Sequence, residues 1–383
     1  MRRMKNHSLY RHSAPFVAKT YKMPVLSMVL LRKRRYDMLR LLWSGVSFVR
    51  GRPSIYHRVK GGYTSMSIPT RLKAFGISRA LDYLDRDPDA NLPKLMEWLD
   101  KFAGERLSPP YQTLFHQIMT DPDNNWHQLI RSMYTDIDNR ILKKIFENFI
   151  IHGGLLNWPA MKAEGALSEG SAPWSVIIDP SFPCSMNCAG CGASIFGVRP
   201  SMEFDSLDEE LEARKASGCH LFIFSGGNPL ARQEEIIALC NKHTDCVFAA
   251  FTPPASITPS LCEDMLRVCN LFPAIQVDVD PQDAQRAADL MKGKKLPFGV
   301  ACRCTADNAD RVATEEYYNR IIGSGAKFCW FFTCPAYGGS AAPSPEQLTA
   351  IHQRVKEFRK TMPLLTLDFW DGPSPSAAPQ GGL

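Results

Sequence analysis

Three cysteines, Cys184, Cys188 and Cys191, have the type and the spacing of a metal-binding loop. They lie in the segment PSFPCSMNCAGCGAS, residues 180–194, at a spacing of C-x3-C-x2-C. Three thiolates can hold three irons of a 4Fe–4S cubane and leave the fourth iron open to a ligand that is not protein. The spacing therefore predicts a cluster whose open position takes part in chemistry.

Two other interpretations of these cysteines stay open. One is a zinc site with a remote fourth ligand, and the other is a set of buried structural thiols. Structural zinc usually takes its ligands from two short knuckles, and the sequence has no second C-x2-C pair. Cysteines that are buried by chance rarely have this spacing directly after a predicted strand. The cluster is the interpretation that the sequence favours.

The second half of the chain must supply the elements that position the loop. Short apolar runs recur there, namely WSVIID (174–179), HLFIFSGG (220–227), CVFAAFT (246–252), AIQVDVD (274–280), PFGVACRCT (297–305), KFCWFFTC (327–334) and LLTLDFW (364–370). Amphipathic stretches separate the runs, which predicts an α/β fold with a parallel sheet, open or curled into a barrel. Catalytic groups in such folds lie at the C-terminal ends of the strands, and the cysteines follow the first strand directly.

The cysteine loop and the repeated β/α core resemble those of the radical S-adenosylmethionine (SAM) enzymes. The resemblance covers about residues 70–372 and is strongest to uncharacterised bacterial radical SAM proteins with an N-terminal helical domain, through PFGVACRCT, GAKFCWFFT and LDFW. The CAGCG sequence is also similar to that of the radical SAM enzyme of hopanoid lipid biosynthesis. The resemblance implies a partial (β/α)6 barrel, a 4Fe–4S cluster on the three cysteines, and S-adenosyl-L-methionine bound to the open iron.

The resemblance also implies which residues contact SAM. The segment SGGNP, residues 225–229, occupies the second strand end, where the family has a Gly-Gly-Glu-Pro motif for the SAM amino group. Gly226 and Gly227 match this motif, and Asn228 replaces the Glu, so the charge that would strengthen a hydrogen bond to an ammonium is missing. The residues that match ribose-contacting positions or a recurrent family Asn are Gln276, Asp278 and Asn308. Ordinary polarity at strand ends is the alternative for these three.

The function that the resemblance implies is reductive cleavage of SAM. An electron donor such as flavodoxin or ferredoxin would reduce the cluster, and the products would be methionine and a 5′-deoxyadenosyl radical that acts on an unidentified substrate. The alternative is a degenerate, non-catalytic iron–sulfur protein. Asn228 and the lack of the cysteine-bearing C-terminal extension of the relatives favour that alternative.

Aromatic residues and further cysteines follow the last strands. Trp330, Phe332 and Tyr337 would line the pocket or, alternatively, pack inside the barrel. One group of cysteines has two alternative interpretations, a second metal site or ordinary buried thiols on strands. That group consists of Cys302, Cys304, Cys329 and Cys334.

The composition of the chain predicts its division into segments and its location in the cell. The predicted parts are a basic amphipathic leader at 1–60, a helical domain at 61–160, a linker at 161–173, the radical SAM core at 174–371 and a disordered tail at 372–383. With 45% hydrophobic and 22% charged residues, wholesale disorder is excluded. The N-terminus has no apolar run of the kind that a signal peptide carries directly after its basic residues, so we expect a cytoplasmic protein.

The leader carries the basic excess of the chain. Residues 1–60 hold 15 Lys/Arg and one Asp, a net charge of +14, whereas the remaining residues hold 30 Lys/Arg and 38 Asp/Glu, a net charge of −8. Residues 36–50, with Leu, Trp, Phe and Val among arginines, have the composition of a helix on an anionic membrane surface. A solvated extension with no specific nucleic-acid contact is the alternative. The leader and the hopanoid-like motif point to a lipid substrate.

Overall fold

The computed structural model describes the sheet, the helices packed on it and part of the N-terminal helical region. The described residues are 46–50, 78–79, 82–84, 86–87, 90–91, 94, 117–118, 120–149, 175–179, 202–216, 218–225, 228–277, 281–333 and 341–369. The cysteine loop and the C-terminal tail lie outside these ranges.

Eight parallel strands form one sheet, and their order in the sheet is their order in the chain. The strands are β1 (Val46–Arg50), β2 (Ser175–Asp179), β3 (Leu221–Phe224), β4 (Val247–Thr252), β5 (Leu271–Gln276), β6 (Gly299–Cys304), β7 (Phe328–Thr333) and β8 (Leu365–Phe369). Strands β2 to β8 confirm the apolar runs that predicted them. Most strands are slightly shorter than the runs, and β5 is also shifted, because it begins at Leu271 rather than at residue 274 and ends at Gln276.

A helix lies in each connection from β2 to β8, as the alternation in the sequence predicts. The helices are α1 (Asn125–Asp136), α2 (Asn139–Phe146), α3 (Phe204–Ala216), α4 (Gln233–Lys242), α5 (Pro259–Val268), α6 (Pro281–Gly293), α7 (Ala309–Val312), α8 (Glu315–Ser324) and α9 (Pro345–Thr361). Two 3₁₀ turns, Pro229–Arg232 and Pro254–Ser256, follow β3 and β4. Within the described ranges, no helix has both the length and the apolar character that a membrane span requires.

Polar caps determine where several helices begin. The Thr258 hydroxyl accepts a hydrogen bond from the backbone N–H of Leu261 at 3.2 Å at the start of α5. Ser344 and Gln347 form a reciprocal capping box at the start of α9. Such caps satisfy N–H groups that have no partner inside the helix. At α5 and α9 the crossover therefore changes from loop to helix at a residue that the local sequence specifies.

The sheet is curled as in a partial barrel. The ring of Phe251 on β4 lies 5.3 Å from that of Trp330 and 5.5 Å from that of Phe332, both on β7, measured between centroids. In a flat sheet the same strands would be three spacings of about 4.8 Å apart, or roughly 14 Å. The ring contacts span a concave interior, which confirms the predicted partial barrel.

Each face of the sheet has its own hydrophobic core. The convex face packs against the helices in the larger core, and the concave face carries a smaller one. The buried members of the smaller core are Ile177, Ile223, Ala249, Ala274, Ala301, Phe328 and Trp330. Gly299 on β6 leaves room for the Phe328 ring, because a Cβ at residue 299 would lie 2.2 Å from it. The concave face is therefore filled by side chains at this level of the barrel.

Helices α1 and α2 pack against the N-terminal edge of the sheet. The Asn125 side chain donates to the backbone oxygen of Met362 at 2.9 Å, shortly before β8. Asn148 donates to the backbone oxygen of Cys246 at 2.8 Å, immediately before β4. Lys327, immediately before β7, is ion-paired with α1. The predicted helices of this region are confirmed for α1 and α2, and they lie at the edge opposite to the one from which the cysteine loop departs.

Strand β1 lies in the segment that was predicted as a basic leader. It pairs in parallel with β2, with Val46 opposite Ser175 and Arg50 opposite Asp179. The surface helix predicted for 36–50 is therefore wrong for residues 46–50, which are extended. The sequence VSFVR is rich in β-branched and aromatic residues, and an open sheet edge offers unpaired backbone groups to such a segment. Tertiary pairing thus determines the local structure here.

Candidate functional site

The C-terminal ends of the strands form the edge at which the sequence predicts the site. Three of the predicted residues, Asn228, Gln276 and Asn308, are among those that the structure describes. The remaining predictions fall outside the described residues, and they concern Cys184, Cys188, Cys191, Gly226, Gly227 and Asp278. Along the chain, the cysteines fall between the C-terminal end of β2 and the start of α3, and the glycines follow the C-terminal end of β3.

Asn228 begins the 3₁₀ turn that follows β3. Its Nδ2 donates a hydrogen bond to Oγ of Ser256 at 2.8 Å. Its Oδ1 is buried and has no hydrogen-bond partner within the described part of the chain. A buried acceptor without a donor costs about 1–3 kcal/mol. The position is therefore suited to a ligand that brings a donor, and an ammonium group is such a donor.

Ser256 orients the Asn228 side chain and was missed by the sequence reasoning. It ends the 3₁₀ turn after β4, where its backbone N–H donates to the oxygen of Pro253 at 3.0 Å. Strands β3 and β4 are neighbours in the sheet, so the turns that follow them come together. The only signal in the sequence is a polar residue shortly after each of two adjacent strand ends, which does not identify a pair.

Gln276 is the last residue of β5 and lies on the concave face. Its neighbour two positions earlier, Ala274, belongs to the concave core, and residues two apart on a strand share a face. Gln276 is half-buried and lies in register with Ala301 of β6. The structure thus brings Gln276 to the same edge of the sheet as Asn228. Its contact with a ribose stays a prediction.

Asn308 closes the turn between β6 and α7. Its Oδ1 accepts from the backbone N–H of Thr305 at 2.8 Å, and its Nδ2 donates to the backbone oxygen of Arg303 at 2.8 Å. Both ends of the amide are therefore used by the local backbone, as the alternative of ordinary strand-end polarity implies. A contact between Asn308 and SAM stays a prediction, and it would have to use the second lone pair of Oδ1 or the second N–H of Nδ2.

Arg303 introduces a charge on the concave face that the sequence reasoning missed. It follows Ala301 by two positions on β6 and therefore shares the face of the concave core. It is half-buried and lies in register with Phe332 of β7. A guanidinium favours carboxylate and phosphate groups, which it can bind with two parallel hydrogen bonds. The alternation of GVACRC could have predicted this position of the arginine, since the small residues at 299 and 301 share one face of the strand with it.

The aromatic residues of β7 pack inside the barrel. The Trp330 ring lies 4.8 Å from that of Phe328 between centroids, and Trp330 is 3% exposed. Phe332 is half-buried beside Phe251. Trp330 therefore packs inside the barrel. Phe332 lies nearer the C-terminal edge of the sheet, where the pocket is predicted. Tyr337 is outside the described residues.

The cysteines of β6 and β7 are buried on the convex face. Cys302, Cys304 and Cys329 are among the side chains of the larger core, and burial raises the pKa of the Cys329 thiol well above its usual value. Within the described residues these thiols do not form a set of three ligand atoms at metal-binding distances. Residues two apart on a strand are roughly 6.6 Å from each other, which keeps the first two thiols apart. Cys302, Cys304 and Cys329 thus do not assemble a second metal site among the described residues, and Cys334 lies outside them.

Comparisons with known proteins give structural similarity alone. No family model and no curated protein matches the chain. SuiB of Streptococcus suis, in a crystal structure bound to S-adenosylmethionine, is 13% identical with a TM-score of 0.45, covering 76% of this chain and 65% of that one. Tagged anSMEcpe with bound AdoMet is 18% identical with a TM-score of 0.39, covering 50% and 60%.

A third similar structure is the radical S-adenosylmethionine methyltransferase TsrM from Kitasatospora setae, with cobalamin and a [4Fe–4S] cluster bound. It is 10% identical with a TM-score of 0.31, covering 41% of this chain and 36% of that one. This chain thus spans less than two thirds of the length of each of these proteins. The ligands are bound by those proteins, and the similarity to this chain is one of fold.

Proposed function

We propose that this chain is a radical SAM enzyme that cleaves S-adenosyl-L-methionine reductively at a 4Fe–4S cluster. The observation that carries the proposal is the position of the C-x3-C-x2-C sequence, which follows the first core strand of a curled parallel sheet. It is supported by Asn228, whose Oδ1 follows the end of the next strand in the sheet and has no hydrogen-bond partner among the residues that the structure describes. Both features belong to the edge at which parallel β/α folds carry their chemistry.

The residues of the chain fit the proposed cofactors. Cys184, Cys188 and Cys191 would bind the cluster, and the Asn228 oxygen would accept a hydrogen bond from the SAM ammonium. When bound and reduced, the cluster would supply the electron that splits SAM into methionine and a 5′-deoxyadenosyl radical. Gln276, Asp278 and the glycines would contact the rest of SAM, as proposed from the resemblance.

The barrel would orient the side chains that bind SAM and would exclude water from the site of the reaction. Ser256 holds the Asn228 amide so that its oxygen is available to a donor. The concave core below the site is closed by Phe251, whose ring contacts those of Trp330 and Phe332. A reactive carbon radical requires such an apolar surrounding, because the protein must prevent side reactions with solvent and oxygen.

The competing function is a degenerate iron–sulfur protein that binds a cluster without turning SAM over. Asn228 favours it, because a neutral amide holds an ammonium less strongly than the carboxylate that the family has at this position. The hydrogen bond from Asn228 to Ser256 favours turnover instead, since it leaves the oxygen free of local partners among the described residues.

The proposed function also implies an electron donor, a location and a class of substrate. Turnover requires a one-electron donor, for which flavodoxin or ferredoxin is proposed. The basic residues before β1 would bring the enzyme to an anionic membrane surface from the cytoplasmic side, and a lipid substrate would fit that location.

The test is detection of 5′-deoxyadenosine. Anaerobically reconstituted protein should contain about four irons per chain, and after reduction in the presence of SAM it should form 5′-deoxyadenosine and methionine. The triple variant Cys184→Ala, Cys188→Ala, Cys191→Ala should lose both iron and product, whereas Cys269→Ala, at a thiol outside the loop, should keep both. Full iron without 5′-deoxyadenosine would favour the non-catalytic alternative, and full iron in the triple variant would refute the cluster assignment.

A further inference from the structure

Three side chains with different donor atoms converge at the N-terminal edge of β3 and β4. His220 directly precedes β3, and Asp245 and Cys246 directly precede β4. His220 Nδ1 lies 3.8 Å from Cys246 Sγ and 3.6 Å from Asp245 Oδ2, and Cys246 Sγ lies 3.8 Å from Asp245 Oδ1. Across the described part of the chain, no other set of three such residues brings its donor atoms within 4.8 Å of one another.

The Nδ1–Sγ distance of 3.8 Å and the Nδ1–Oδ2 distance of 3.6 Å match two edges of a tetrahedral metal site. Zinc lies about 2.3 Å from sulfur and about 2.0–2.2 Å from nitrogen or oxygen, so two of its ligands are roughly 3.3–3.8 Å apart. His220 Nδ1 also lies 3.1 Å from the backbone oxygen of Asp245, so a bound ion would replace that hydrogen bond on the ring nitrogen. One ligand atom from each of the three side chains thus lies within 4.8 Å of the other two, which is the arrangement that a single ion requires.

The backbone holds the three positions firmly. The Val247 N–H donates to the His220 oxygen at 2.8 Å, which joins the two strand starts. The Cys246 oxygen accepts from Asn148 at 2.8 Å and from Asn270 at 3.2 Å. Ligand positions that are fixed in this way require little ordering when an ion binds.

We propose that His220, Asp245 and Cys246 bind a divalent cation of the zinc type. A thiolate, an imidazole and a carboxylate form a borderline-soft ligand set that suits Zn²⁺ and not Ca²⁺ or Mg²⁺. Binding displaces the thiol proton to solvent. The described residues supply three ligands, and the Asp245 side chain is 33% exposed, so water can reach the fourth position.

The charges around the site balance when the ion is bound. Lys215 Nζ lies 3.0 Å from Asp245 Oδ1 and 3.8 Å from Glu212 Oε1. A thiolate, two carboxylates and an ammonium sum to −2, which a divalent cation neutralises. Lys215 thus acts on Oδ1 of Asp245 as an outer partner that orients the ligand, and Oδ2 remains directed to His220.

This cation site is separate from the proposed cluster site and does not rest on the proposed function. His220 precedes β3, whereas Asn228 follows it, and the strand between them places the two at opposite edges of the sheet. The four residues of β3 span roughly 13 Å at about 3.3 Å per residue. Helix α2 and Asn148 cover the same N-terminal edge, so a bound ion would stabilise the strand starts and the packing of the helical region together.

The experiment uses Co²⁺ as a spectroscopic probe in the full chain. The background is the triple variant Cys184→Ala, Cys188→Ala, Cys191→Ala, which removes the loop thiols that would compete for the ion. We expect one equivalent of Co²⁺ to produce a thiolate charge-transfer band and the intense visible bands of a tetrahedral site, and Zn²⁺ to displace it. Metal analysis of the wild-type chain should give one zinc besides iron.

Variants decide whether the bands come from this group. Adding Cys246→Ser should remove the charge-transfer band, and adding His220→Gln should weaken Co²⁺ binding at least tenfold while the thiolate band remains detectable at saturation. Cys240→Ser is the matched control, because Cys240 is a buried thiol of α4 outside the group, and its bands should be unchanged. Circular dichroism excludes misfolding as the cause of a loss. Absence of the bands at one equivalent, a charge-transfer band that survives in Cys246→Ser, or unchanged Co²⁺ affinity in His220→Gln would overturn the proposal.

Discussion

The Asn228 amide donates to the Ser256 hydroxyl over 2.8 Å, and this contact joins the turns after β3 and β4. Because Nδ2 is used in this way, the amide presents its oxygen, and not its nitrogen, to the position where the SAM amino group is proposed. The replacement of a carboxylate by an amide is thus accompanied by a hydroxyl that fixes the orientation of the amide.

Replacement of Asn228 by Glu should strengthen SAM binding. A carboxylate–ammonium hydrogen bond exceeds that of a neutral amide by about 1 kcal/mol, which corresponds to roughly a fivefold lower Kd. Asn228→Gln is the matched control, since it has the length of Glu without the charge and should not tighten binding. Anaerobic calorimetry with reconstituted protein measures both. Equal affinity of the Glu variant and the wild type would show that residue 228 does not face the amino group.

Removal of the Ser256 hydroxyl should weaken SAM binding through the orientation of Asn228. We expect Ser256→Ala to raise the Kd by a factor of about 2 to 10, corresponding to the 0.5–1.5 kcal/mol of one hydrogen bond. Ser324→Ala removes a comparable hydrogen bond, from Oγ to the Ile321 oxygen on α8, and should leave the Kd unchanged. If both variants bind SAM as the wild type does, the amide does not depend on Ser256 for its role.

A side chain at residue 299 should disturb the concave core. The Cβ of Gly299→Ala would lie 2.2–2.4 Å from atoms of the Phe328 ring, which is confined by Phe272 and Trp330. We expect the free energy of unfolding to fall by about 1–3 kcal/mol, as for other overpacked cores. Gly293→Ala, at the last residue of α6 with nothing near the added Cβ, should keep or slightly raise stability. Denaturant unfolding of both variants tests this, and equal stability would show that the ring moves without cost.

The ion pair between Asp136 and Lys327 should make stability depend on pH. Burial raises the pKa of Asp136, but the hydrogen bond and charge of Lys327 outweigh it and bring the pKa below its usual value. The folded state therefore binds this proton less readily than the unfolded state, so stability rises with pH above the folded-state pKa until the unfolded-state pKa near 4 is passed.

The measurable consequence is a change of slope. In Lys327→Met the free energy of unfolding should rise less steeply between about pH 2 and pH 5 than in the wild type. Lys294→Met, at an exposed lysine after α6, should keep the wild-type slope. Identical slopes in all three proteins would mean that the Asp136 pKa does not depend on Lys327.

The sequence predicted those features that depend on residues close together in the chain. The runs of apolar residues predicted β2 to β8, and the alternation with amphipathic stretches predicted the parallel sheet. Local patterns could not reveal the pairs Asn228–Ser256 and His220–Cys246, because they join residues that are separated by 28 and 26 positions and meet only when neighbouring strands pair. Strand β1 was missed for a related reason, since its extended form depends on pairing with the free edge of β2 and not on its own composition alone.

The basic leader should bind anionic membranes, and β1 now permits a sharper test. Residues 1–45 contain 11 Lys/Arg and one Asp together with Leu41, Leu42 and Trp43, so a chain that begins at residue 46 loses these groups but keeps β1. Each Lys/Arg near an anionic surface contributes about 1 kcal/mol, and the apolar residues would add a contribution that salt does not screen. We therefore expect the full chain to co-sediment with anionic vesicles, with partial loss at high salt, and the chains beginning at 46 and at 61 to stay in the supernatant.

Neutral vesicles are the control for this experiment. If the full chain also stays in the supernatant at low salt, the leader is a solvated extension and the proposal of a lipid substrate loses its main support.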